Sequence, residues 1–328
     1  MKVIIPLAGF GTRLRPHTYS RPKPLINVAG KPILGHLLDK LSALPVEEFV
    51  FITGYLGDQI KEYVATNYGN TPSRYFLQEE LNGQTPAILL AKEALQGPVL
   101  ILFVDTIFDG DLSFLAETDA EAVAFVKEVH DPRRFGVAAT DEQGFVTRFI
   151  EKPDSMDNKL AVIGMYYVRD SEALVDALET QVREERRTKG EYYLTDGFQI
   201  MIDRGTKFQV AEVDSWLDAG TSEAVLETNR LLLQRSGNIA GLKAEGFVII
   251  PPVYIHPSAQ ITNSVIGPNV SLGQNCEIDN CIIRDSIVDA DTRIRNILLD
   301  HSLVGQHVDV KGDFKSINVG DATSLSYE

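Results

Sequence analysis

The first part of the chain alternates short apolar runs with amphipathic segments. The opening run Val3–Leu7 is rich in β-branched residues and has the length of a buried parallel strand, and apolar residues then recur at helical spacing from Ile33 to Leu44. Further strands are predicted at 49–54, 75–77, 99–105, 122–126, 136–139, 146–150, 161–168 and 208–211, and further helices at 59–68, 86–95, 171–186, 195–203 and 222–234. This alternation predicts an α/β fold with a mainly parallel, mixed sheet.

The pattern changes after Ser236. Beyond Phe247 an apolar residue recurs every five or six positions, and small or polar residues fill the gaps. The recurring residues are Ile255, Ile261, Ile266, Leu272, Ile278, Ile283, Val288, Ile294, Leu299, Val304 and Val310. A period near six is typical of a parallel β-helix, in which neighbouring coils bury the repeated residue. We therefore predict an α/β domain over residues 1–236, a β-helix over 247–312 and a polar tail over 313–328.

Composition narrows the possible partners and the compartment. The chain has 328 residues, 44% of them apolar, and a net charge of −15, which disfavours binding to nucleic acid or to an anionic membrane. The N-terminus does not have the architecture of a signal peptide, and apolar runs stay below the ~18 residues of a membrane span, so we expect a cytoplasmic protein. The two cysteines, Cys276 and Cys281, lie among apolar residues and are expected to be buried free thiols.

A glycine loop follows the first strand. Gly9 and Gly11 can adopt backbone conformations closed to other residues, and they let a ligand approach the main-chain N–H groups. Arg13 and Lys23 are the two types of cation that suit a polyphosphate, one a forked donor and the other a compact charge. The spacing is neither that of a Walker A loop nor that of the dinucleotide-binding motif. A tight turn without a ligand is the alternative interpretation of such a loop.

Other polar residues follow predicted strands. Asp105 and Asp218 each follow a strand, and carboxylates near a phosphate loop are what a hard cation such as Mg²⁺ requires. Lys152 also stands where a strand ends, and the segment from Gln78 to Gly83 offers amide and backbone groups before a helix. Taken singly, each of these residues is more often part of a turn or a helix cap than of a binding site.

In their order along residues 1–235, these segments resemble the sugar-1-phosphate nucleotidylyltransferases, which make nucleoside diphosphate sugars. The segments that carry the resemblance are the glycine loop with Arg13, Pro22-Lys23-Pro24 and Lys31-Pro32, Gln78 with Gly83, Asp105, Phe135-Gly136-Val137, Glu151-Lys152-Pro153, Gly164-Met165-Tyr166, Leu194-Thr195-Asp196 and Trp216 to Thr221. The resemblance implies a Rossmann-like nucleotidyltransferase domain followed by a small left-handed β-helix. It also implies that a nucleoside triphosphate and a sugar 1-phosphate are the substrates.

The resemblance assigns roles to individual residues of this chain. It implies that Arg13, Lys23 and Lys152 are catalytic and that Asp105 and Asp218 bind Mg²⁺. The nucleotide side is assigned to Leu7, Ala8, Gly9, Gly11, Thr12, Arg13, Gln78 and Gly83, and the sugar phosphate side to Gly136, Glu151, Lys152, Val162 and Tyr166.

Three departures from the commonest thymidylyl pattern affect the base and the sugar. The glycine loop is one residue shorter, as in uridylyl and guanylyl branches, Val104 replaces a glycine before Asp105, and the segment Gln84-Thr85-Pro86 is not standard. We expect glucose 1-phosphate with dTTP or UTP, and the alternatives are a mannose-1-phosphate guanylyltransferase or a catalytically weak regulatory homologue.

The β-helix leaves two further questions open. Its open coil ends expose strand edges, so we expect a homo-oligomer that forms through the β-helix. An additional acetyl transfer with His256, His301 or His307 as base is an alternative, although a histidine in a surface turn is the commoner case.

Overall fold

The structure is a computed structural model that describes residues 1–104, 106–236 and 246–313, without the side chains of Thr106, Asp218 and Ser236. The chain divides into two units. The first comprises Met1–Ile26 and Lys31–Thr228, and the second comprises Asn27–Gly30 and the chain from Asn229 onward. Most of the predicted polar tail, residues 314–328, lies outside the described residues.

The elements up to residue 236 follow the predicted alternation. The strands are β1 (Lys2–Pro6), β2 (Asn27–Val28), β3 (Lys31–Pro32), β4 (Glu48–Thr53), β5 (Ser73–Leu77), β6 (Val99–Leu102), β7 (Thr106–Asp109), β8 (Ala122–Glu128), β9 (Gly136–Thr140), β10 (Val146–Glu151), β11 (Leu160–Val168), β12 (Phe208–Glu212) and β13 (Ser215–Asp218). The helices are α1 (Ile33–Leu41), α2 (Gly57–Tyr68), α3 (Gln84–Leu90), α4 (Ser171–Arg183), α5 (Leu194–Asp203) and α6 (Ser222–Ser236). None of the helices in the described ranges has the length and apolar composition that a membrane crossing requires.

One predicted helix is wrong in its extent. The segment predicted at 86–95 is helical only to Leu90, and a separate 3-10 turn follows at Lys92–Ala94. The backbone leaves the α-helical path at Ala91, whose φ is −95° and ψ 14°.

The first unit is built on a mixed sheet, which confirms the predicted α/β class. Among the described residues nine strands take part, with the main order β10-β9-β11-β6-β1-β4-β5, and β8 pairs with β11 while β12 pairs with β8. The strands β6, β1, β4 and β5 are parallel, whereas β11 is antiparallel to β6. The apolar residues of β1 are fully buried because the strand lies in the middle of the parallel part.

The second unit contains the predicted β-helix. Its strands are β14 (Val248–Ile249), β15 (Val253–Ile255), β16 (Gln260–Thr262), β17 (Val265–Ile266), β18 (Val270–Leu272), β19 (Glu277–Asp279), β20 (Ile282–Arg284), β21 (Ile287–Val288), β22 (Arg293–Arg295), β23 (Leu298–Asp300), β24 (Leu303–Val304) and β25 (Asp309–Lys311). Within residues 246–313 they form three parallel sheets of four strands, namely β14-β17-β20-β23, β15-β18-β21-β24 and β16-β19-β22-β25. This is the architecture expected of a left-handed parallel β-helix, and its core consists of the recurring apolar residues.

Residues with a left-handed backbone conformation turn the chain at the corners between these sheets. Asn, Asp and His tolerate a positive φ better than most other residues do. The residues with positive φ are Asn263, Asn269, Asn275, Asn280, Asp285, Asp291, Asn296, His301 and His307. They recur every five or six positions, as the apolar residues do. Two of the histidines considered as acetyl-transfer bases are therefore corner residues.

Cys276 and Cys281 are buried free thiols, as predicted. Burial raises the pKa of the Cys276 thiol to about 11 and also raises the pKa of Cys281. Because the thiolate is the reactive form, neither residue is expected to react at neutral pH.

We predict that the native protein reacts with a thiol reagent such as Ellman's reagent far more slowly than the protein unfolded in guanidinium, which should titrate two thiols. Labelling of the native protein within seconds at neutral pH would contradict the burial of the two side chains.

Candidate functional site

Four parallel strands end at the same edge of the sheet in the first unit. Backbone hydrogen bonds continue the pairing past the strand ends, from the Leu7 N–H to the Ile52 carbonyl (2.7 Å) and from the Gln78 N–H to the Thr53 carbonyl (2.8 Å). Ligands of such sheets bind beyond the carboxyl ends of the strands. The segments that follow β1, β5 and β6 are therefore held near one another at the edge where a ligand would bind.

The glycine loop after β1 is shaped by one left-handed residue. Gly11 has a φ of +61° and precedes a 3-10 turn over Thr12–Leu14, and its carbonyl accepts a hydrogen bond from the Thr18 hydroxyl (2.9 Å). A Cβ atom at this position would lie 3.1 Å from side-chain atoms of Lys23 and Thr18. Gly9 does not have a positive φ, and a Cβ there would meet nothing within 4 Å. Gly11 thus provides the turn, and Gly9 leaves open space above the loop.

A cavity of 460 Å³ lies against this loop. The described residues that line it are Pro6, Leu7, Ala8, Gly9, Gly11, Thr12, Arg13, Lys23, Pro24, Gln78, Leu81, Gly83, Gln84, Ala87, Phe103, Val104, Glu191 and Gly220. Every residue that the resemblance assigns to the nucleotide is among them. Arg13 and Lys23 bring two positive charges to this wall, and Glu191 brings one negative charge.

A second cavity, of 310 Å³, adjoins the first. Its described lining consists of Arg13, Gln84, Phe103, Arg134, Phe135, Gly136, Glu151, Val162, Ile163, Gly164, Tyr166, Thr195 and Trp216. Four of the residues assigned to the sugar phosphate lie here, namely Gly136, Glu151, Val162 and Tyr166. Lys152 is not among the described residues that line either cavity.

Three of the described residues border both cavities. Arg13 comes from the glycine loop, Gln84 begins α3 and Phe103 follows β6. The Gln84 side chain is held in place because its Oε1 accepts a hydrogen bond from the Leu194 N–H (3.0 Å). Two ligands that filled the two cavities would therefore meet beside the Arg13 side chain.

Glu151 is the acidic group of the second cavity. It pairs with Gly136 across β10 and β9, and a Cβ atom at position 136 would lie 2.9 Å from Glu151 Oε2. Because Gly136 has no side chain, the Glu151 carboxylate can lie next to its backbone. Burial raises the pKa of the Glu151 carboxyl above its ordinary value. The buried Tyr166 beside it also has a raised pKa, again because of burial.

Lys152 lies next to Glu151 in sequence but points to a different partner. Lys152 has a φ of +46°, and its ammonium donates a hydrogen bond to the Tyr193 hydroxyl at 3.3 Å. This hydrogen bond raises the pKa of the Lys152 ammonium. The lysine is therefore charged and exposed, and its role toward the sugar phosphate stays a prediction.

The two carboxylates predicted to bind a metal fall at incompletely described positions. Asp105 lies outside the described residues, and for Asp218 only the backbone is described. β13 pairs with β7 so that Asp218 stands opposite Thr106, the residue after Asp105 in the sequence. Among the described side chains no group of three or more His, Cys, Asp and Glu forms a metal cluster. By residue type, two carboxylates completed by phosphate oxygens are the oxygen ligands that a hard divalent cation prefers.

Sequence reasoning missed part of the wall of the second cavity. Trp216 and Phe135 pack edge to face with their ring centroids 4.7 Å apart. Thr195, near the start of α5, also lines this cavity, and its buried hydroxyl has no hydrogen-bond partner among the described residues. Both Trp216 and Thr195 lie within segments that carried the resemblance, and this was the signal that could have identified them. Arg134 precedes Phe135-Gly136 and had no such signal.

Comparison with known protein families agrees with this geometry. A family model described as nucleotidyl transferase matches residues 2–235, and one described as the GMPPB C-terminal domain matches residues 249–319. The first match alone covers more than half of the chain.

Individual relatives match most of the chain. A glucose-1-phosphate thymidylyltransferase of Streptomyces antibioticus is 29% identical over 94% of this chain and 93% of its own length. A UTP–glucose-1-phosphate uridylyltransferase, AglF, of Haloferax volcanii is 31% identical over 68% of this chain and 93% of its own length. The bifunctional protein GlmU of Methanocaldococcus jannaschii is 34% identical over 79% of this chain, but the match spans only 61% of that protein.

A solved structure gives the same picture of the fold. It is that of a Bacillus anthracis protein provisionally assigned as a glucose-1-phosphate thymidylyltransferase, in complex with sucrose. The TM-score is 0.62 at 27% identity, and the alignment covers 74% of this chain and 98% of the other. The motifs, the fold, the adjoining cavities and these matches together show the family of this chain. It belongs to the nucleotidyl transferase family, and within it to the sugar-1-phosphate nucleotidylyltransferases, which form nucleoside diphosphate sugars by nucleotidyl transfer.

Proposed function

We propose that this chain joins glucose 1-phosphate to the nucleotidyl group of dTTP or UTP and releases pyrophosphate. The observation that carries the proposal is the pair of adjoining cavities that share Arg13. The larger cavity takes the nucleoside triphosphate and the smaller takes the sugar 1-phosphate. The relatives from S. antibioticus and H. volcanii, named for thymidylyl and uridylyl transfer to glucose 1-phosphate, support the choice of substrates.

The glycine loop binds the triphosphate in this proposal. Open space above Gly9 lets the phosphates approach the main-chain N–H groups of the loop. Arg13 and Lys23 neutralise the phosphate charge, and Gln78 and Gly83 contact the base. The Gln78 amide is oriented for this contact because its Nε2 donates a hydrogen bond to the Glu80 carbonyl (3.1 Å). Leu7, Ala8, Gly11 and Thr12 complete the wall around the nucleotide.

The second cavity binds the sugar through one buried acceptor. The Glu151 carboxylate accepts hydrogen bonds from sugar hydroxyls, and Gly136 leaves the space for it. Val162 and Tyr166 form the apolar floor beneath the ring. Lys152 binds the phosphate of the sugar after its flexible side chain turns away from Tyr193. The phosphate then lies toward Arg13, at the border with the first cavity.

The reaction requires positioning and charge neutralisation rather than a protein nucleophile. An anionic oxygen of the sugar phosphate attacks the α-phosphorus of the triphosphate, and the bond from that phosphorus to the β-phosphate oxygen breaks. Pyrophosphate leaves with the electron pair, and no proton has to move. Arg13 stabilises the charge that develops on the departing pyrophosphate, and Lys23 neutralises the reacting phosphates.

Members of this family generally use a divalent metal, and we propose Mg²⁺ for this chain. Asp105 and Asp218 would hold it, and the pairing of Asp218 with Thr106 supports this assignment. When bound, the metal supplies positive charge next to the phosphates of the nucleotide. We also propose that the chain self-associates through its β-helix.

The substrate proposal predicts a pattern in a matrix of assays. Pyrophosphate release is measured with Mg²⁺ for dTTP, UTP, GTP and ATP, each with glucose 1-phosphate, mannose 1-phosphate and N-acetylglucosamine 1-phosphate. The highest kcat/KM is expected for dTTP or UTP with glucose 1-phosphate. A maximum for GTP with mannose 1-phosphate would favour the guanylyl alternative, which the short glycine loop also allows. Silence with every pair would support a regulatory homologue and contradict the proposal.

The Glu151→Gln variant separates a binding role from a structural role. Burial raises the pKa of this carboxyl, so at pH values above the folded-state pKa its charged form lowers the stability of the folded protein. A neutral glutamine removes this destabilisation. We expect the variant to be at least as stable as the wild type at pH 8, with no gain at pH values low enough to protonate the carboxyl in both states. Loss of the charged acceptor should raise the KM for glucose 1-phosphate roughly 10- to 100-fold.

The pH profile and a control complete this test. As the pH falls through the pKa of Glu151, the wild type should lose affinity for the sugar phosphate, whereas the variant should keep only the pH dependence of the phosphate itself, whose second pKa is about 6. Glu142→Gln, on an exposed turn, should change neither quantity. A variant that is less stable at pH 8 and binds the sugar normally would contradict the assigned role.

The metal proposal predicts the effects of Asp105→Asn and Asp218→Asn. Each should lower kcat at least roughly a hundredfold, since charge neutralisation by a metal contributes several kcal/mol. Each should also weaken the binding of Mn²⁺, followed by electron paramagnetic resonance in the presence of a non-reactive nucleotide analogue. Asp109→Asn, which removes a partner of Lys40 from the other end of β7, is the matched control and should bind Mn²⁺ normally. Wild-type Mn²⁺ binding in both variants would remove the two residues from the site.

A further inference from the structure

One fully buried polar side chain of the first unit lies outside both cavities. Gln181, on α4, is 0% exposed and is not among the described residues that line either cavity. A buried amide lowers the stability of the folded protein unless its donors and its acceptor are paired. The partners of Gln181 therefore indicate which segments it holds.

The Gln181 amide joins the start of α3 to the segment that leads into α5. Its Oε1 accepts a hydrogen bond from the Thr85 hydroxyl (2.7 Å), and its Nε2 donates to the Tyr193 carbonyl (2.9 Å). Nε2 also donates to the Arg186 carbonyl (3.3 Å). A Cβ atom at Gly197 of α5 would lie 3.3 Å from Gln181 Oε1, so the glycine leaves space for the amide. Both donors and the acceptor are paired, which fixes the orientation of the side chain.

Backbone hydrogen bonds reinforce this connection. The N–H groups of Gln84 and Thr85 both donate to the Tyr192 carbonyl, at 2.9 and 3.3 Å. Thr85 is 0% exposed, as Gln181 is, so water does not compete for the hydrogen bond between the two side chains. We call this group of residues the clasp, which consists of Gln84, Thr85, Gln181, Tyr192 and Tyr193.

The clasp connects the walls of the two cavities. Gln84 borders both of them, and Glu191 and Thr195, which flank the clasp in the sequence, line the first and the second cavity respectively. The Tyr193 hydroxyl accepts the hydrogen bond of the Lys152 ammonium. A shift of the tyrosine segment against the start of α3 would therefore move groups of the nucleotide side and of the sugar side together.

We propose that Gln181 is a positioning residue, which holds the walls of the two cavities at the spacing that the reaction requires. It contacts neither substrate and acts through Thr85 and Tyr193. The inference rests on the proposed function, because it concerns the place where the two substrates meet. A displacement of about 1 Å caused by a remote substitution can lower a rate roughly a hundredfold, so a buried amide outside both cavities can affect the reaction.

The Gln181→Met variant removes the amide and keeps a side chain of similar length. We expect the KM for the triphosphate and the KM for the sugar phosphate each to rise roughly 10-fold, although residue 181 contacts neither substrate. The Glu151→Gln variant, in contrast, should raise the KM for the sugar phosphate alone. A purely structural role of Gln181 would lower the unfolding temperature and leave both KM values unchanged.

Two variants of Thr85 test the same hydrogen bond from its other end. Thr85→Val removes the hydroxyl with little change of shape and should raise both KM values, and it serves if Gln181→Met fails to fold. Thr85→Ser keeps the hydroxyl and should behave like the wild type. Because the two side chains act through one hydrogen bond, Gln181→Met combined with Thr85→Val should raise the KM values no further than Gln181→Met alone.

Thr180→Val is the matched control on the same helix. It removes a buried hydroxyl that accepts hydrogen bonds from Arg183 (2.9 Å) and Arg204 (3.2 Å) instead of joining the clasp. This variant should lower the unfolding temperature without changing either KM.

The KM values are measured by pyrophosphate release, with the substrate pair for which the wild type has the highest kcat/KM, on protein that calorimetry shows to be folded. Unchanged KM values in Gln181→Met and Thr85→Val would overturn the inference, as would a rise for one substrate only or an equal rise in Thr180→Val. In each of these cases the wild type is active, so the proposed function stands. Silence of the wild type with every pair would contradict the proposed function and this inference with it.

Discussion

The parallel register of β6, β1, β4 and β5 is the constraint on which the site depends. Because parallel strands bring their carboxyl ends to one edge, segments near residues 7, 78 and 103 meet there although they are far apart in the sequence. A slip of one residue in β1 would move the glycine loop that follows it by about 3.3 Å relative to the ends of its neighbours. The antiparallel neighbour β11 then adds the second cavity beside the first, so the positions of both ligands follow from one sheet.

The second unit is built from a small set of residue types. Its inward isoleucines and valines form the core, and residues such as Asn280 and Asn296 turn the corners, where a left-handed backbone is required. Stacked corner residues also bond to each other, as Asn280 does to Asn296. The outward positions do not take part in this core, and on the sheet β16-β19-β22-β25 they form ion pairs such as that of Glu277 with Arg293.

Much of the fold could be predicted because burial leaves a periodic signal. The buried strands and the six-residue repeat were evident for this reason, as was Gly11, whose backbone conformation favours glycine. The pairing of Phe135 with Trp216 could not be predicted, since the two are 81 positions apart and no local spacing relates them. The grouping of Asn27–Gly30 with the second unit was equally invisible. It depends on contacts such as the hydrogen bond from Asn27 to Asp289, 262 positions away (2.8 Å).

The central claim is that an oxygen of the sugar phosphate attacks the α-phosphorus of the nucleotide and becomes the bridge between the two phosphates of the product. Isotope transfer in a single turnover tests it most directly. Glucose 1-phosphate with all of its non-bridging phosphate oxygens labelled with heavy isotope is mixed with enzyme and triphosphate, and the products are analysed by mass spectrometry. The account predicts that the nucleoside diphosphate sugar retains every labelled oxygen, including the new bridge, and that the pyrophosphate contains none. Labelled pyrophosphate, or loss of label from the sugar nucleotide, would contradict it.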